Sequence, residues 1–260
     1  MLKTLLLLIA CSLLAISSPI AQAQQSHLSK LVIAKGKTYT VSPGNTLLVD
    51  TLIMQDKATM KFDPSLYGVL EAKIAYIGQK CVITSKGSDG KKGNREQAGS
   101  SGENGGDLTV SIHFAQLGNL IIDTSGGDGG KGADGKHGAA GIQDRYETRT
   151  ATDPVTKKTT TTTVLVPGRA GTAGSDATMG GSGGHGGNIT LQYSTEGFIP
   201  IFNNEAVKKN GIRILTTGGR QGQSGQPGKG GFQRADGGIK YAEIIPSSEG
   251  KIMLINRDNL

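Results

Sequence analysis

Apolar and polar residues alternate along several short stretches of this chain. Leu108, Val110, Ile112 and Phe114 share one parity, with Thr109, Ser111 and His113 between them. Ile189, Leu191 and Tyr193 repeat the pattern around Thr190 and Gln192, and Leu70, Ala72, Ile74 and Tyr76 repeat it around Glu71 and Lys73. A period of two sends successive side chains to opposite faces, so each stretch predicts a strand with one buried face. Leu31-Val32-Ile33, Thr38 to Val41, Thr46 to Met54 and Thr59 to Phe62 predict earlier strands, with turns at Pro43-Gly44-Asn45 and Asp63-Pro64. Ile239 to Ile245 and Lys251 to Ile255 predict the last ones. Each strand is too short to bury its apolar face alone and must stack on its neighbours. The fold class is therefore all-β, with a β-solenoid or sandwich-like strand framework.

Glycine interrupts this framework with a different period. Gly87, Gly90, Gly93, Gly99, Gly102 and Gly105 step by three, with Glu96 in the gap. Gly126, Gly129, Gly132, Gly135, Gly138 and Gly141 form an unbroken second series. Gly168, Gly171, Gly174, Gly180, Gly183 and Gly186 form a third, and Gly219, Gly222, Gly225, Gly228 and Gly231 a fourth. Three residues per turn is the period of the left-handed polyproline II helix, which makes no internal hydrogen bonds. Its backbone groups must find partners in a neighbour or in water. A glycine edge lets a second such helix approach, and Gly106, Gly127, Gly130, Gly181, Gly184 and Gly187 open a second edge. The runs thus predict packed polyglycine-II helices in excursions from the strands.

Strand junctions repeat around the runs. Val82-Ile83-Thr84-Ser85, Ile121-Ile122-Asp123-Thr124-Ser125 and Ile214-Leu215-Thr216-Thr217 lead into them. Gly105-Gly106-Asp107-Leu108 and Gly186-Gly187-Asn188-Ile189 lead out. Between the second and third runs, residues 142–167 read as a threonine-rich β-hairpin turning near Asp153-Pro154. The second run would travel outward and the third return, giving an arm of roughly 50 Å at the rise of this helix. The domain organisation is a signal peptide at 1–23, an N-terminal β region at 24–86, the glycine-triplet region at 87–238 with its hairpin insert, and C-terminal strands at 239–260.

The signal peptide rests on Lys3, an apolar stretch from Leu5 to Ile16 and the small-x-small exit Ala21-Gln22-Ala23. Cleavage after Ala23 would leave Gln24 first. A lipobox reading of Leu8-Ile9-Ala10-Cys11, with Cys11 lipidated, is the alternative. Either way the chain is expected to be exported: secreted, periplasmic or on the outer surface. No other stretch has the length and apolarity of a transmembrane helix. Cys81 is then the sole cysteine of the mature chain, with no disulfide partner, and reads as a small buried hydrophobe.

This layout of strands and glycine triplets resembles bacterial proteins of the collagen-like class. Its packing is similar to the polyglycine-II tips of some phage tail-fibre adhesins and to glycine-repeat antifreeze proteins. The resemblance covers residues 87–231 and rests on spacing, so it bears on architecture more than function. It implies recognition of cell-surface ligands in the one case and ice binding by a flat, regular face in the other.

Chemistry adds little to this. His27, His113, His137 and His185 have no partner at metal-ligand spacing, and no nucleophile or nucleotide motif is present. No enzyme activity, cofactor or metal is expected. A β-helix polysaccharide enzyme is the alternative, with Asp107 and Asp123 the acids to test; hydrogen bonding at turns is their plainer role. The formal net charge is +7. Lys86, Lys91, Lys92, Arg95, Lys131, Lys136, Arg220, Lys229 and Arg234 mark the runs, and Arg169 joins them. Aligned, they would make a face suited to anionic glycans, lipopolysaccharide or other envelope proteins, whereas dispersed they are a solvated surface. Nucleic acid is not an expected partner. The function expected is structural or adhesive, at a cell surface or in the medium.

Overall fold

A computed structural model describes residues 26–258, except 96, 205, 207 and 208. The leader, Cys11 and the cleavage position lie outside the described residues. The chain is all-β, and two six-stranded parallel sheets carry its framework. The first sheet takes β1 (Ser26–Ile33), β3 (Thr46–Met54), β5 (Gly68–Ile77), β7 (Leu108–Leu117), β12 (Ile189–Thr195) and β16 (Ile252–Asn256), in that order. The second takes β2 (Thr38–Thr40), β4 (Thr59–Lys61), β6 (Cys81–Thr84), β8 (Asn119–Asp123) and β14 (Gly211–Leu215), with β13 (Ile201–Phe202) beyond β14. The chain alternates between the sheets, coil after coil. This arrangement is compatible with a β-solenoid.

Register explains the core. Leu47, Leu70, Val110, Leu191 and Leu254 stand level on successive strands of the first sheet. Met60, Ile83 and Ile122 do the same on the second. The buried members of these columns meet in one apolar cluster with Phe62, Phe114, Leu117 and Leu120. Burying each large side chain contributes roughly 1.5–3 kcal/mol, so stacking stabilises coils that could not stand alone.

One alternation is not continuous. Leu70 and Ala72 face the core as expected, but Ile74 and Tyr76 are 40% and 41% exposed, and Ala75 and Ile77 are buried instead. A bulge separates Ala72, level with Ile112, from Ala75, level with Phe114, so two residues of β5 span one of β7; the register steps back at once, with Tyr76 level with Gln116. The extra residue flips the parity of everything after it. A second departure concerns 239–245. Only β15 (Ile239–Lys240) pairs as a strand, with β11 (Ala177–Thr178).

The coils close tightly at one side, through residues 34–37, 55–58 and 78–80. At the other side, the first two turns are locked by Asn45. Its buried side chain donates to the carbonyls of Asp63 and Leu66 at 3.0 and 3.1 Å and accepts from the Asp63 N–H at 2.7 Å. The glycine excursions all leave from this second side. Each starts at the end of a second-sheet strand (β6, β8 or β14) and returns into a first-sheet strand (β7, β12 or β16). They therefore lie beside one another.

Candidate functional site

The excursions form an arm in which each thread answers its neighbour every third residue. Gly87, Gly90 and Gly93 donate to the carbonyls of Ser125, Asp128 and Lys131 at 3.0, 2.7 and 2.8 Å. Gly126, Gly129, Gly132, Gly135 and Gly138 donate to Thr217, Arg220, Gln223, Gln226 and Lys229. Register rises in both sets, so these outgoing threads run parallel. Gly219, Gly222, Gly225, Gly228 and Gly231 donate to Gly184, Gly181, Thr178, Ser175 and Thr172, and here register falls. The third run therefore comes back, antiparallel to the fourth. Gly99, Gly102 and Gly105 in turn donate to Met179, Ser182 and His185.

Glycine is required at both predicted edges. A Cβ on Gly127 or Gly130 would strike the carbonyl oxygen of Ser88 or Lys91, and one on Gly181 or Gly184 that of Ser100 or Glu103. The backbones touch, and no side chain fits between them.

A second set of bonds uses side chains. Asp89 accepts from the Asp128 N–H at 2.8 Å, Asp128 from Arg220 at 2.7 Å, Asp134 from Gln226 at 2.9 Å and His137 from Lys229 at 2.8 Å. Along the returning threads Ser182, His185 and Asn188 accept from Ile245, Ser248 and Lys251, each 63 residues later. His137 and His185 are thus acceptors for backbone amides, more than spacers. Among the described residues no group of His, Cys, Asp or Glu is arranged to hold a metal ion. Asp123 accepts from Ser125 two residues on, as at a turn, whereas Asp107 accepts from the Asn188 N–H of the neighbouring exit, 81 residues later.

These ladders place the basic residues. All nine are exposed. Since Asp89 is level with Asp128, 39 residues later, Lys92 is level with Lys131 on the outgoing layer. Arg220 and Lys229 belong to the same layer, whereas Arg95 stands in the turn where the first excursion reverses, its carbonyl accepting from Lys240 and its neighbours Ser175 and Asp176 on the returning side. It also carries Asp89, Asp128 and Asp134, whose part was missed from sequence; their signal was a carboxylate two residues after the triplet glycine. The Gln226 N–H, then the nearby Lys131 and Lys92, holds the Asp134 carboxyl below its usual range. Lys131 Nζ lies 3.8 Å from Asp134. The layer is mixed in sign. Lys91 and Lys136 turn their N–H groups to Ser100 and Ser175 on the returning side. Arg234 donates to the Gly171 carbonyl, and Lys86 sits at the start of the first excursion, its N–H on Thr84.

At the arm's end stand β9 (Arg145–Thr152) and β10 (Thr159–Val166), an antiparallel hairpin joined to the threads by a bridge between Ile142 and Arg169. Pairing sets Thr148, Thr150 and Thr152 opposite Thr163, Thr161 and Thr159, flanked by Tyr146 opposite Leu165. Nearly every residue of both strands is exposed. In the turn, Asp153 accepts from the N–H groups of Thr156 and Val155, which lowers its pKa.

Elsewhere the concavities are shallow. One of about 370 Å³ is lined by Lys35, Gln55, Asp56 and Tyr76. Another of about 250 Å³ on the outer face of the first sheet holds Glu71, Lys73, His113, Ser194 and Arg257. There His113 Nδ1 meets Ser194 Oγ at 2.8 Å. No helix of the described residues is long and apolar enough to cross a membrane. In comparisons with known proteins, no family model, no curated protein and no solved structure matches the chain.

Proposed function

We propose that this is an exported, non-enzymatic display protein of the cell surface or medium, structural or adhesive in role. In this reading the strand framework is a base. The glycine runs are polyglycine-II helices packed into a stiff arm, and the hairpin at 142–167 is what the arm presents. The observation that carries it is the hairpin itself: two strands with both faces in solvent, held at the end of threads whose amides are bonded at every third residue. A two-stranded hairpin is marginal by itself. Placed on a rigid support, it becomes a preorganised contact surface. The Met1–Ala23 pattern supports export.

Anionic glycans or lipopolysaccharide are the ligands proposed for the outgoing layer, through Lys92, Lys131, Arg220 and Lys229. The interleaved Asp89, Asp128 and Asp134 favour spaced sulfates or phosphates over a uniform polyanion. A glycan array tests the whole reading, comparing the intact chain with a variant in which 142–167 is replaced by a short Gly-Asn turn. Display predicts loss of the bound glycans in the variant; an unchanged profile would overturn it. Charge reversal at Lys92 and Lys131, read on heparin across a salt series, separates the arm's contribution.

A further inference from the structure

Val32, Ile53, Tyr76 and Gln116 stand level on β1, β3, β5 and β7 and face away from the core. Val32 is 48% and Tyr76 41% exposed. The column faces out because the core face steps by one residue along β3, β5 and β7. Buried residues pass from Val49 to Leu52 in β3, from Ala72 to Ala75 in β5 and from Phe114 to Leu117 in β7. Such irregularities re-aim side chains, and here they turn an aromatic ring into solvent. Beside Tyr76 the coil corners complete a groove of about 370 Å³. Its apolar lining includes Ile53 and Tyr76, and its polar lining is Lys35, Gln55, Asp56 and Gln116. The volume falls within the range of small-ligand sites, about 300–1,000 Å³.

Backbone donors hold two of the polar groups in place. Gln55 Oε1 accepts from the Lys35 N–H at 2.9 Å, and Asp56 Oδ1 from the Gln79 N–H at 2.8 Å. The Gln55 NH2 group and the second Asp56 oxygen are left to other partners, and Gln116 is exposed with its whole amide. Lys35 and Asp56 are the charged residues of the lining, and neither forms an ion pair among the described residues. Opposite in sign, they leave the groove without net charge. We propose that this groove binds one neutral pyranose residue of a glycan. A pyranose offers an apolar C–H face to the Tyr76 ring and a rim of hydroxyls that both donate and accept. The amides of Gln116 and Gln55 answer both roles, the Asp56 carboxylate accepts and the Lys35 ammonium donates. The balance of charge selects a neutral sugar over the anionic glycans proposed for the arm. The site stands on the strand base, so it depends neither on the hairpin nor on the basic layer.

Saturation-transfer NMR of the full-length mature chain with the methyl glycosides of glucose, galactose, mannose and N-acetylglucosamine tests this. At least one is expected to receive saturation at its ring C–H protons. Its affinity should not change across a salt series, because the ligand is uncharged. Tyr76→Ala is expected to weaken that binding about tenfold, and Gln116→Ala several-fold. Tyr76→Phe keeps the ring and should bind as the wild type does. Both side chains are exposed, so the variants should fold, and thermal unfolding of each confirms it. A chain with 142–167 replaced by a short Gly-Asn turn should bind the same sugar equally, which separates this site from the display reading. If none of the four sugars binds at about 20 mM, well above a millimolar Kd, the proposal is overturned. Unchanged binding by Tyr76→Ala would overturn it too.

Discussion

Asp134 accepts a hydrogen bond from the backbone N–H of Gln226, 92 residues further on, at 2.9 Å. Asp128 does the same for Arg220, and His137 for Lys229, at the identical separation. Two threads of one arm are therefore locked in register by short side chains as well as by glycine amides.

That bond has a pH signature. The Asp134 carboxyl is held below its ordinary value of 3.8 by the Gln226 N–H first and by Lys131 next. A carboxyl depressed in the folded state contributes stability that is complete above its unfolded pKa and is lost as pH falls through the folded one. Asp50, Asp63 and Asp153 are depressed too, chiefly by Lys73, Ser65 and Thr156 respectively. Stability should thus be flat near neutrality and fall below the 3.8 region. Asp134→Asn keeps an oxygen acceptor but cannot titrate. Its melting temperature should decline less than that of the wild type between about pH 5 and about pH 2.5. Parallel acid curves for the two proteins would remove Asp134 from the account.

The close approach of the threads predicts which glycines tolerate a methyl group. Gly130 donates to Ser100, accepts from Gly181, and would drive a Cβ into the Lys91 carbonyl. Gly130→Ala should destabilise by about 1–3 kcal/mol, the range for forcing extra volume into packed structure. Gly238 provides the contrast, since its nearest neighbour would be Asp176 Oδ1 at 3.6 Å. Gly238→Ala should change stability by less than about 0.5 kcal/mol. Equal effects in thermal unfolding would mean the threads do not touch as described.

Strands and glycine runs were both legible in the sequence because each has a strict local period. The expected strand Thr46 to Met54 has the bounds the structure gives it. The parity change in β5 was not legible: an inserted residue leaves Ile74 and Tyr76 looking like core until the Ala75–Phe114 register is known. Ile239 to Ile245 looked like a strand, yet only two residues pair, because the stretch runs beside a glycine thread whose side chains supply its acceptors. Ser182, for example, takes the Ile245 N–H. The candidate basic face was legible as a list of charges, but its interleaved carboxylates depended on offsets between distant segments.

Removing the hairpin should leave the base untouched. Its strands bury almost nothing, and the Ile142–Arg169 bridge and the Gly168 N–H bond to Asp144 that tie it to the arm both lie outside the strands. Replacing 145–166 by a short turn should shift stability by under about 0.5 kcal/mol, as for other surface changes away from packed structure. By contrast Phe114→Ala, at a side chain with 0% exposure, should cost about 3–5 kcal/mol. Denaturant titration of both variants gives the comparison. A large loss from the hairpin replacement would show that the tip braces the threads.

Cys81 offers a probe of the strand framework. Its thiol is buried on β6, with Sγ 3.2 Å from the Gln55 carbonyl and 3.6 Å from that of Met54. Burial pushes its pKa up, which disfavours the thiolate that reacts with alkylating agents. Iodoacetamide should leave Cys81 unmodified in the folded protein at mildly alkaline pH and modify it fully in denaturant, as mass spectrometry of the Cys81 peptide would show. Its labelling rate then reports how often the second sheet opens. Because Cys81 is level with Leu120 on β8 and lies far from the hairpin in sequence, that rate should be the same with and without residues 145–166. Prompt labelling of the intact folded chain would mean that β6 is not held between β4 and β8, and the stacking that anchors the first glycine excursion would fail with it.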